Sequence, residues 1–479
     1  MELTPDVCYQ ALKTKDRRFD GLFFVAVRST HIYCRPVCTV KLPQQKNVTF
    51  YELASACERD GYRPCLKCRP ELAPGNANVD SKNRLVIRAI SRIEDGALTS
   101  DSIEQLANEL EVTSRHLRRV FESELGVTPV QFVQTQRLLL AKRLLTDTNM
   151  PVSQVAMVSG FSSIRRFNAL FVERYRLSPS QLRKLTISES PKTDTFVCHL
   201  SFRPPYDWQS MLSFLRARAC SGVEYVDNDK YMRTVLIDGV IGWVSVSLSD
   251  KPSMLLVTLS SSLAPKFLQV LTRLKRLFDL QAKPELIDER LGEIAMKHPG
   301  LRVPGACDAF EVAIRAILGQ LVSVKTASNF AGKVAAKYGK CIETPFPELC
   351  LTTPQPADLA RAKVDDLVAL GIMPLRAQTL ITFAREYLYG KLILHPGVDY
   401  DATVAKLTAL PGIGQWTAEY IAMRCLAYPD AFPAGDLGIK KALNLTSQKA
   451  LTTEVEKYRP WRAYAAMHLW KTLETKIPG

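Results

Sequence analysis

The chain has 479 residues, 47% of them hydrophobic and 23% charged, with a formal net charge of +15. That length predicts three or four domains rather than one, each able to bury its own core. No apolar run reaches the roughly 18 residues of a membrane span, and Met1 to Lys13 carries no apolar stretch followed by a cleavage site. The expectation is a cytoplasmic chain without a membrane partner.

The positive charge is spread along the sequence. Lys and Arg outnumber Asp and Glu by 12 to 8 in residues 1–78, by 16 to 12 in 79–190 and by 35 to 28 in 191–479. A polyanion touching every part would want this distribution, and so would a surface charged for solubility. The chain has twelve cysteines, and in the cytoplasm they are not expected to form disulfides. Eight are scattered (Cys8, Cys57, Cys198, Cys220, Cys307, Cys341, Cys350, Cys425) and read as small core residues.

In residues 1–78, Leu22–Arg28 and Asn47–Tyr51 read as strands. Cys34 and Cys38 form a C-x3-C hook, and Cys65 and Cys68 a C-x2-C hook after a gap of 26 residues. Two such hooks can close a tetrahedral four-thiolate zinc site, a staple suited to a module with little core. The residues Phe24 to Cys38, with Gly61 to Pro70, resemble the N-terminal domain of the Ada methylation-response proteins. The resemblance implies that Cys34 accepts a methyl group from a DNA methylphosphotriester, with Cys38, Cys65 and Cys68 completing the Zn2+ site. Zinc holds sulfur as the nucleophilic thiolate. Four thiolates on Zn2+ carry a net charge of −2, and methylating one leaves −1, which lowers repulsion from phosphate. Arg35 reads equally as a phosphate contact or a surface charge.

Residues 79–188 follow a linker at Ala73–Asn78 and begin with an amphipathic helix, Arg84–Ile93. They then read as two helix-turn-helix units. The first pairs Asp101–Leu110 with Thr113–Phe121, turning at Glu111-Val112 and capped by Thr113. The second pairs Val152–Ser159 with Ser162–Phe171 across Gly160-Phe161. The long helix Pro129–Leu145 separates them. Arg115, Arg118, Arg119, Arg165 and Arg166 are placed on outward faces, where they would meet DNA in successive major grooves. The competing reading is a helical bundle with a solvated cationic face. The pattern Ala156, Gly160-Phe161-Ser162-Ser163, Phe167, Phe171, Ser178-Pro179 resembles the AraC-type regulator domain. It implies double-stranded DNA as a partner and, for an activator, RNA polymerase. No Pro-Cys-His-Arg tetrapeptide occurs, so repair of guanine O6 by an Ada-type methyltransferase is not expected. Thr186–Asp194 is the next linker.

Residues 194–305 read as an α+β subdomain with strands near Phe196–Phe202, Thr234–Ile237, Gly242–Leu248 and Leu255–Leu259 and helices near Asp207–Ala219 and Ala264–Asp279. Residues 306–479 read as a helical bundle. Within the bundle, Leu410-Pro411-Gly412-Ile413-Gly414 is a tight turn between two helices. The second helix starts near Gln415 and offers free N–H groups to an anion. Trp416 and Tyr420 share one face of that helix. Asp436 lies 22 residues past Gly414 and reads alone as a helix N-cap, as the aromatics alone read as core.

Taken together, Leu410 to Tyr420 with Gly435-Asp436 resembles the helix-hairpin-helix Gly/Pro–Asp DNA glycosylases. Pro204–Trp208, Pro299–Gly305, Arg315–Val324 and Pro460–Tyr464 narrow the likeness to the AlkA-type 3-methyladenine DNA glycosylase II. The resemblance implies Asp436 as the essential acid and Trp416, Tyr420, Trp470 and Phe214 as the base pocket. It implies Leu321 as the wedge that fills the gap left by a flipped nucleotide. Leu410, Gly412 and Gly414 become a phosphate clamp at which the family often binds a monovalent cation. Lys471 departs from the family's aromatic.

Strand-cutting relatives keep a Lys where this chain has Trp416, so base removal without strand cleavage is expected. No cysteine follows Cys425, so no iron–sulfur cluster is expected. His468, with no His or Cys near it, reads as a packed or hydrogen-bonded residue. The fold class expected is multidomain α+β: a small zinc-stapled α/β module, an all-α double helix-turn-helix domain, an α+β subdomain and a helix-hairpin-helix bundle. The function expected is a bacterial, nucleoid-associated, monomeric glycosylase for alkylated bases, fused to a methylphosphotriester-sensing transcriptional regulator. The rival is an activator whose glycosylase-like part is only a DNA-binding scaffold. Retention of Asp436 and the four aromatics argues against it.

Overall fold

The computed structural model describes residues 3–75, 83–96, 103–186 and 194–474. Their contacts divide into two compact units, one of residues 1–204 with 249–272 and one of 205–248 with 273–479. Half of the first expected linker, 76–78, and most of the second, 187–193, lie outside the described residues. No helix among the described residues is long and apolar enough to cross a membrane.

The first unit opens with the helix Pro5–Thr14, capped by Thr4. A four-stranded sheet follows, in the order Val48–Tyr51, Phe24–Val27, Ile32–Cys34, Arg63–Pro64. Its last two strands run parallel with Tyr33 opposite Pro64. Cys34 and Cys65 therefore follow side by side, so strand register brings the two cysteine hooks together.

The helix-turn-helix elements follow the expected order, with ends set by local capping. The first unit pairs Ile103–Glu109 with Ser114–Leu125, where Thr113 accepts from the N–H of His116. The intervening turn holds Glu111 at φ 60°. The second pairs Val152–Val158 with Ile164–Tyr175, capped by Ser163, with Gly160 at φ 83° in the turn. The long helix Pro129–Asp147 starts in a Thr128/Gln131 capping box and runs two residues further than expected.

The zinc-type module and the long helix share buried polar contacts. Glu58 accepts from Tyr33 at 3.0 Å and from Thr135 at 3.1 Å. Lys142 pairs with Glu71, and Arg69 pairs with Asp147 at 2.6 Å. Leu139 of the helix packs into the core of Phe24, Ala26, Tyr33 and Ala54. Burial raises the Glu58 carboxyl to about 7 against its hydroxyl donors. Strands Thr195–Ser201 and Met254–Ser260 pair antiparallel within this unit.

In the second unit, Glu224–Val226, Lys230–Ile237 and Val240–Leu248 form an antiparallel meander. The first of these strands and the start of the second were not read from the sequence. Their charged residues mask the strand pattern, because Arg233 and Glu224 are buried as ion pairs rather than exposed. The helices of this unit pack around Ala309–Leu318, which contacts both Gln415–Cys425 and Pro374–Leu388. Phe310 stacks on Phe383 with centroids 5.8 Å apart.

Candidate functional site

The expected hairpin is present as helix Tyr400–Thr408, a turn, and helix Gln415–Cys425. Gly412 sits at φ 85°, and a Cβ there would fall 2.2 Å from Thr379 Oγ1. Only glycine satisfies both the left-handed backbone and that approach. Thr379 Oγ1 donates to the Pro411 carbonyl at 2.9 Å. Gln320 Nε2 donates to the Gly412 carbonyl at 2.8 Å and to Thr417 Oγ1 at 2.9 Å. Gly414 caps the second helix without a side chain, and nothing lies within 4 Å of its missing Cβ. The helix start is thus open to an anion.

Asp436 is the helix N-cap that its sequence position allowed, and its carboxylate also meets two pocket aromatics. It is the N-cap of Leu437–Ala442, its Oδ1 accepting from the Ile439 N–H at 2.8 Å. The same oxygen accepts from Trp470 Nε1 at 3.0 Å, and Oδ2 accepts from Trp416 Nε1 at 2.9 Å. Packing of Leu437–Ala442 on the last helix, Arg462–Glu474, brings Trp470 to the acid. Trp416 stacks on Tyr420 at 5.4 Å and 12°, and Tyr420 meets Trp470 at 6.3 Å. These three rings, Phe214 and Asp436 line one pocket of about 340 Å3. That volume suits a small planar ligand. Lys471 lies one residue beyond Trp470 and is not part of the lining.

The sequence reading missed the charged floor of this pocket. Arg233 pairs with Glu311 at 2.6 Å, and Arg315 pairs with Glu224 at 2.6 Å and Glu311 at 2.9 Å. Burial would raise Glu224, but Arg315 and Arg233 overcome it and hold the carboxyl at about 2. Arg218 lies 3.7 Å over the Phe214 ring. Arg424 donates to Tyr420 Oη at 2.8 Å. Burial opposes ionisation of that phenol, yet Arg424 and then Arg218 bring it below its ordinary range. The only sequence signal for this network was the Glu311/Arg315 spacing of four, because its other members are about 80 residues away.

Leu321 stands in the turn between Ala309–Leu318 and Val324–Tyr338. It is 100% exposed and held at φ 55°. An exposed leucine in a left-handed conformation is an outlier of the kind that collects at functional sites.

In the first unit the sulfurs of Cys34, Cys38, Cys65 and Cys68 all lie within 4.8 Å of one another. A tetrahedral zinc with Zn–S near 2.3 Å needs sulfurs about 3.8 Å apart, so the donor set fits. The first three are buried and Cys68 is half-buried. A hydrogen bond shared with Cys34 lowers the Cys38 thiol to about 7. Backbone N–H groups reach Cys68 (from Arg35, 3.3 Å), Cys38 (from Val40) and Cys65 (from Cys68).

Arg35 corrects both of its expected roles. It is 3% exposed and bound to Asp20 and the Cys68 carbonyl, so it braces the cluster from within. Arg115, Arg118, Arg119, Arg165 and Arg166 are all exposed as expected. Arg118 stands 3.7 Å from Glu104 and Arg119 3.1 Å from the His116 ring. His468 is packed, and burial pushes its imidazole down to about 4. Two of the eight scattered cysteines are not core residues: Cys341 and Cys350 are exposed, in the extended connection after Val324–Tyr338.

Residues 7–71 match the metal binding domain of Ada and residues 106–185 a helix-turn-helix domain. Residues 197–308 match the AlkA N-terminal domain and residues 314–459 the HhH-GPD superfamily of base excision DNA repair proteins. The chain is 37% identical over 487 residues to a probable bifunctional transcriptional activator/DNA repair enzyme AlkA of Mycobacterium tuberculosis. That match covers 98% of this chain and 97% of the relative. It is 40% identical over 274 residues to DNA-3-methyladenine glycosylase 2 of Escherichia coli, covering 57% of this chain and 96% of that one. A solved 3-methyladenine DNA-glycosylase from Archaeoglobus fulgidus shares the fold at TM-score 0.53 and 19% identity, covering 59% of this chain and all of its own. With an acid-bearing aromatic pocket on a helix-hairpin-helix bundle and a four-cysteine module beside paired helix-turn-helix units, the chain belongs to the family of bifunctional transcriptional activator/DNA repair enzyme AlkA proteins, a glycosylase part joined to an Ada-like regulator part.

Proposed function

We propose that the glycosylase part hydrolyses the N-glycosidic bond of alkylated purines, 3-methyladenine and 7-methylguanine among them, in double-stranded DNA. The observation that carries this reading is the Asp436 carboxylate, fixed by two indole N–H groups and a backbone N–H at the wall of a ring-lined pocket. A target inside a duplex has to leave the stack. The start of Gln415–Cys425, with Leu410, Gly412 and Gly414, clamps the phosphate and is the place for a monovalent cation. Leu321 fills the vacated space.

Alkylation at N3 or N7 makes the purine cationic, so Trp416, Tyr420, Trp470 and Phe214 hold it by stacking and cation–π attraction. A cationic base leaves without a general acid. The C1′–N bond breaks with its electron pair going to the base. The Asp436 carboxylate stabilises the positive sugar, or orients the water that attacks it. Trp416 offers no amine to form a covalent sugar adduct, so the product is an abasic site in an uncut strand.

The regulator part senses methylphosphotriesters. Cys34, Cys38, Cys65 and Cys68 would hold Zn2+, which would supply the charge that keeps their sulfurs as thiolates. The Cys34 sulfur attacks the methyl carbon; the S–C bond forms as the methyl C–O bond breaks, its electron pair going to the phosphate oxygen of the departing diester. Arg115, Arg118, Arg119, Arg165 and Arg166 contact DNA, and an activator of this design recruits RNA polymerase. The working chain is a monomer in the bacterial cytoplasm, organised as residues 1–78, 79–188, 194–305 and 306–479.

The test is release of free bases from methylated duplex DNA, with the bases identified. Wild type should release 3-methyladenine and 7-methylguanine, and Asp436→Asn neither. Release by Asp436→Asn at the wild-type rate would overturn the assignment.

A further inference from the structure

We infer that Gln320 is a positioning residue that makes the Leu321 wedge and the hairpin turn act as one rigid tool for nucleotide extrusion. The inference rests on the reading of Leu321 as the wedge.

A leucine that enters a base stack must hold its place against the cost of unstacking the bases. Leu321 alone is poorly placed to do so. It sits in a short turn, wholly exposed, in a left-handed conformation with no side-chain packing of its own. The residue before it supplies what is missing. The Gln320 carboxamide crosses to the hairpin, donating to the carbonyl of Gly412 at 2.8 Å and to the hydroxyl of Thr417 at 2.9 Å. A carbonyl can only accept, so the amide nitrogen must face Gly412. The backbone carbonyl of Gln320 is in turn held by the Arg376 guanidinium. Arg376 and Thr379 lie on the same helix, Pro374–Leu388, and Thr379 binds the neighbouring Pro411 carbonyl.

The wedge turn and the hairpin turn are therefore pinned to each other and to a common helix. Gripping the phosphate at the hairpin fixes how far Leu321 reaches into the stack. Gln320 does not line the base pocket. Its contribution belongs to extrusion and not to cleavage of the glycosidic bond.

The experiment measures single-turnover base release by the full chain from two substrates with the same methylated purine. In one the lesion is paired in a duplex, and in the other it is already unstacked in a single-nucleotide bulge. The readout is the ratio of the two rates. Gln320→Ala should lower the duplex rate about tenfold and the bulge rate by less than about threefold. Thr417→Val should shift the ratio in the same direction, and Thr417→Ser, which keeps the hydroxyl, should restore it. Leu321→Ala should also lower the ratio, and the Gln320→Ala/Leu321→Ala double variant should fall no further than the larger single effect. A Gln320→Ala variant that loses both rates equally would show a merely structural role and overturn the inference. So would an unchanged ratio in Gln320→Ala where Leu321→Ala lowers it. An unchanged ratio in Leu321→Ala would instead overturn the wedge reading on which the inference stands.

Discussion

At the sulfur cluster four acidic groups crowd within 4.8 Å, and the chain itself offers them only a few backbone donors. At the base pocket the Asp436 carboxylate receives three N–H donors from its own chain. The first centre needs a cation from outside to exist in its working charge state. The second is organised before anything binds. The buried glutamates repeat the contrast. Glu58 meets hydroxyl donors and is raised to about 7, whereas Glu224 meets two guanidiniums and is held at about 2. Burial is common to both acids, so the partner decides the charge.

The largest test of this contrast is metal removal. Structural zinc contributes on the order of 10 kcal/mol to the folding of small modules. Chelation, or Cys65→Ser, should abolish the cooperative unfolding transition of the four-cysteine module in calorimetry. Base release should stay within about twofold of wild type. A parallel loss of both would mean that the two centres are not independent.

Next comes Asp436→Asn. Asparagine caps a helix about as well as aspartate, so the fold should hold and zinc content stay at one per chain. Base release should fall by about a hundredfold or more, the size seen when a charge-stabilising group is removed.

Third is pH. An acid whose folded pKa is raised favours the protonated folded state. The stability it confers is present below its ordinary 4.5 and is lost as pH rises through about 7. Unfolding of the first unit should weaken across that window by about 3 kcal/mol at most. Glu224 has the opposite sign: its contribution is present above 4.5 and is lost as pH falls toward 2. Glu58→Gln should flatten the first dependence and leave the second. Thermal unfolding followed against pH reads both.

The smallest expected effects are those of Trp416→Phe and Trp470→Phe. Each keeps a ring and removes one N–H donor to Asp436, so each should cost about tenfold in single-turnover rate. No loss in either would show that the third donor, the Ile439 N–H, orients the carboxylate alone.

Much of the site could be read in sequence because its parts are close in the chain or carry rare spacing. The hairpin, Trp416 and Tyr420 occupy adjacent turns, and the paired cysteine hooks lie on strands that pair in register. Asp436 was visible as a cap, and the structure shows that cap together with the two indole donors. What stayed hidden depends on distant partners. Arg35 reads as a free charge until Asp20 is found beside it, and the pocket floor joins Glu224 and Arg233 to Glu311 and Arg315 across the fold. Strand Glu224–Val226 was missed for the same reason, since period-two patterning fails when a charge is buried as a pair.

The contacts between the four-cysteine module and the helix Pro129–Asp147 also set what can be cut from the chain. Lys142 is 1% exposed against Glu71, and Leu139 completes an apolar core whose other members belong to the four-cysteine module. A fragment that begins after residue 78 would leave a lysine without its counter-ion and a leucine facing water on the same helix. The smallest soluble fragment that keeps the helix-turn-helix units should therefore start at the N-terminal helix Pro5–Thr14 and not at the expected domain boundary.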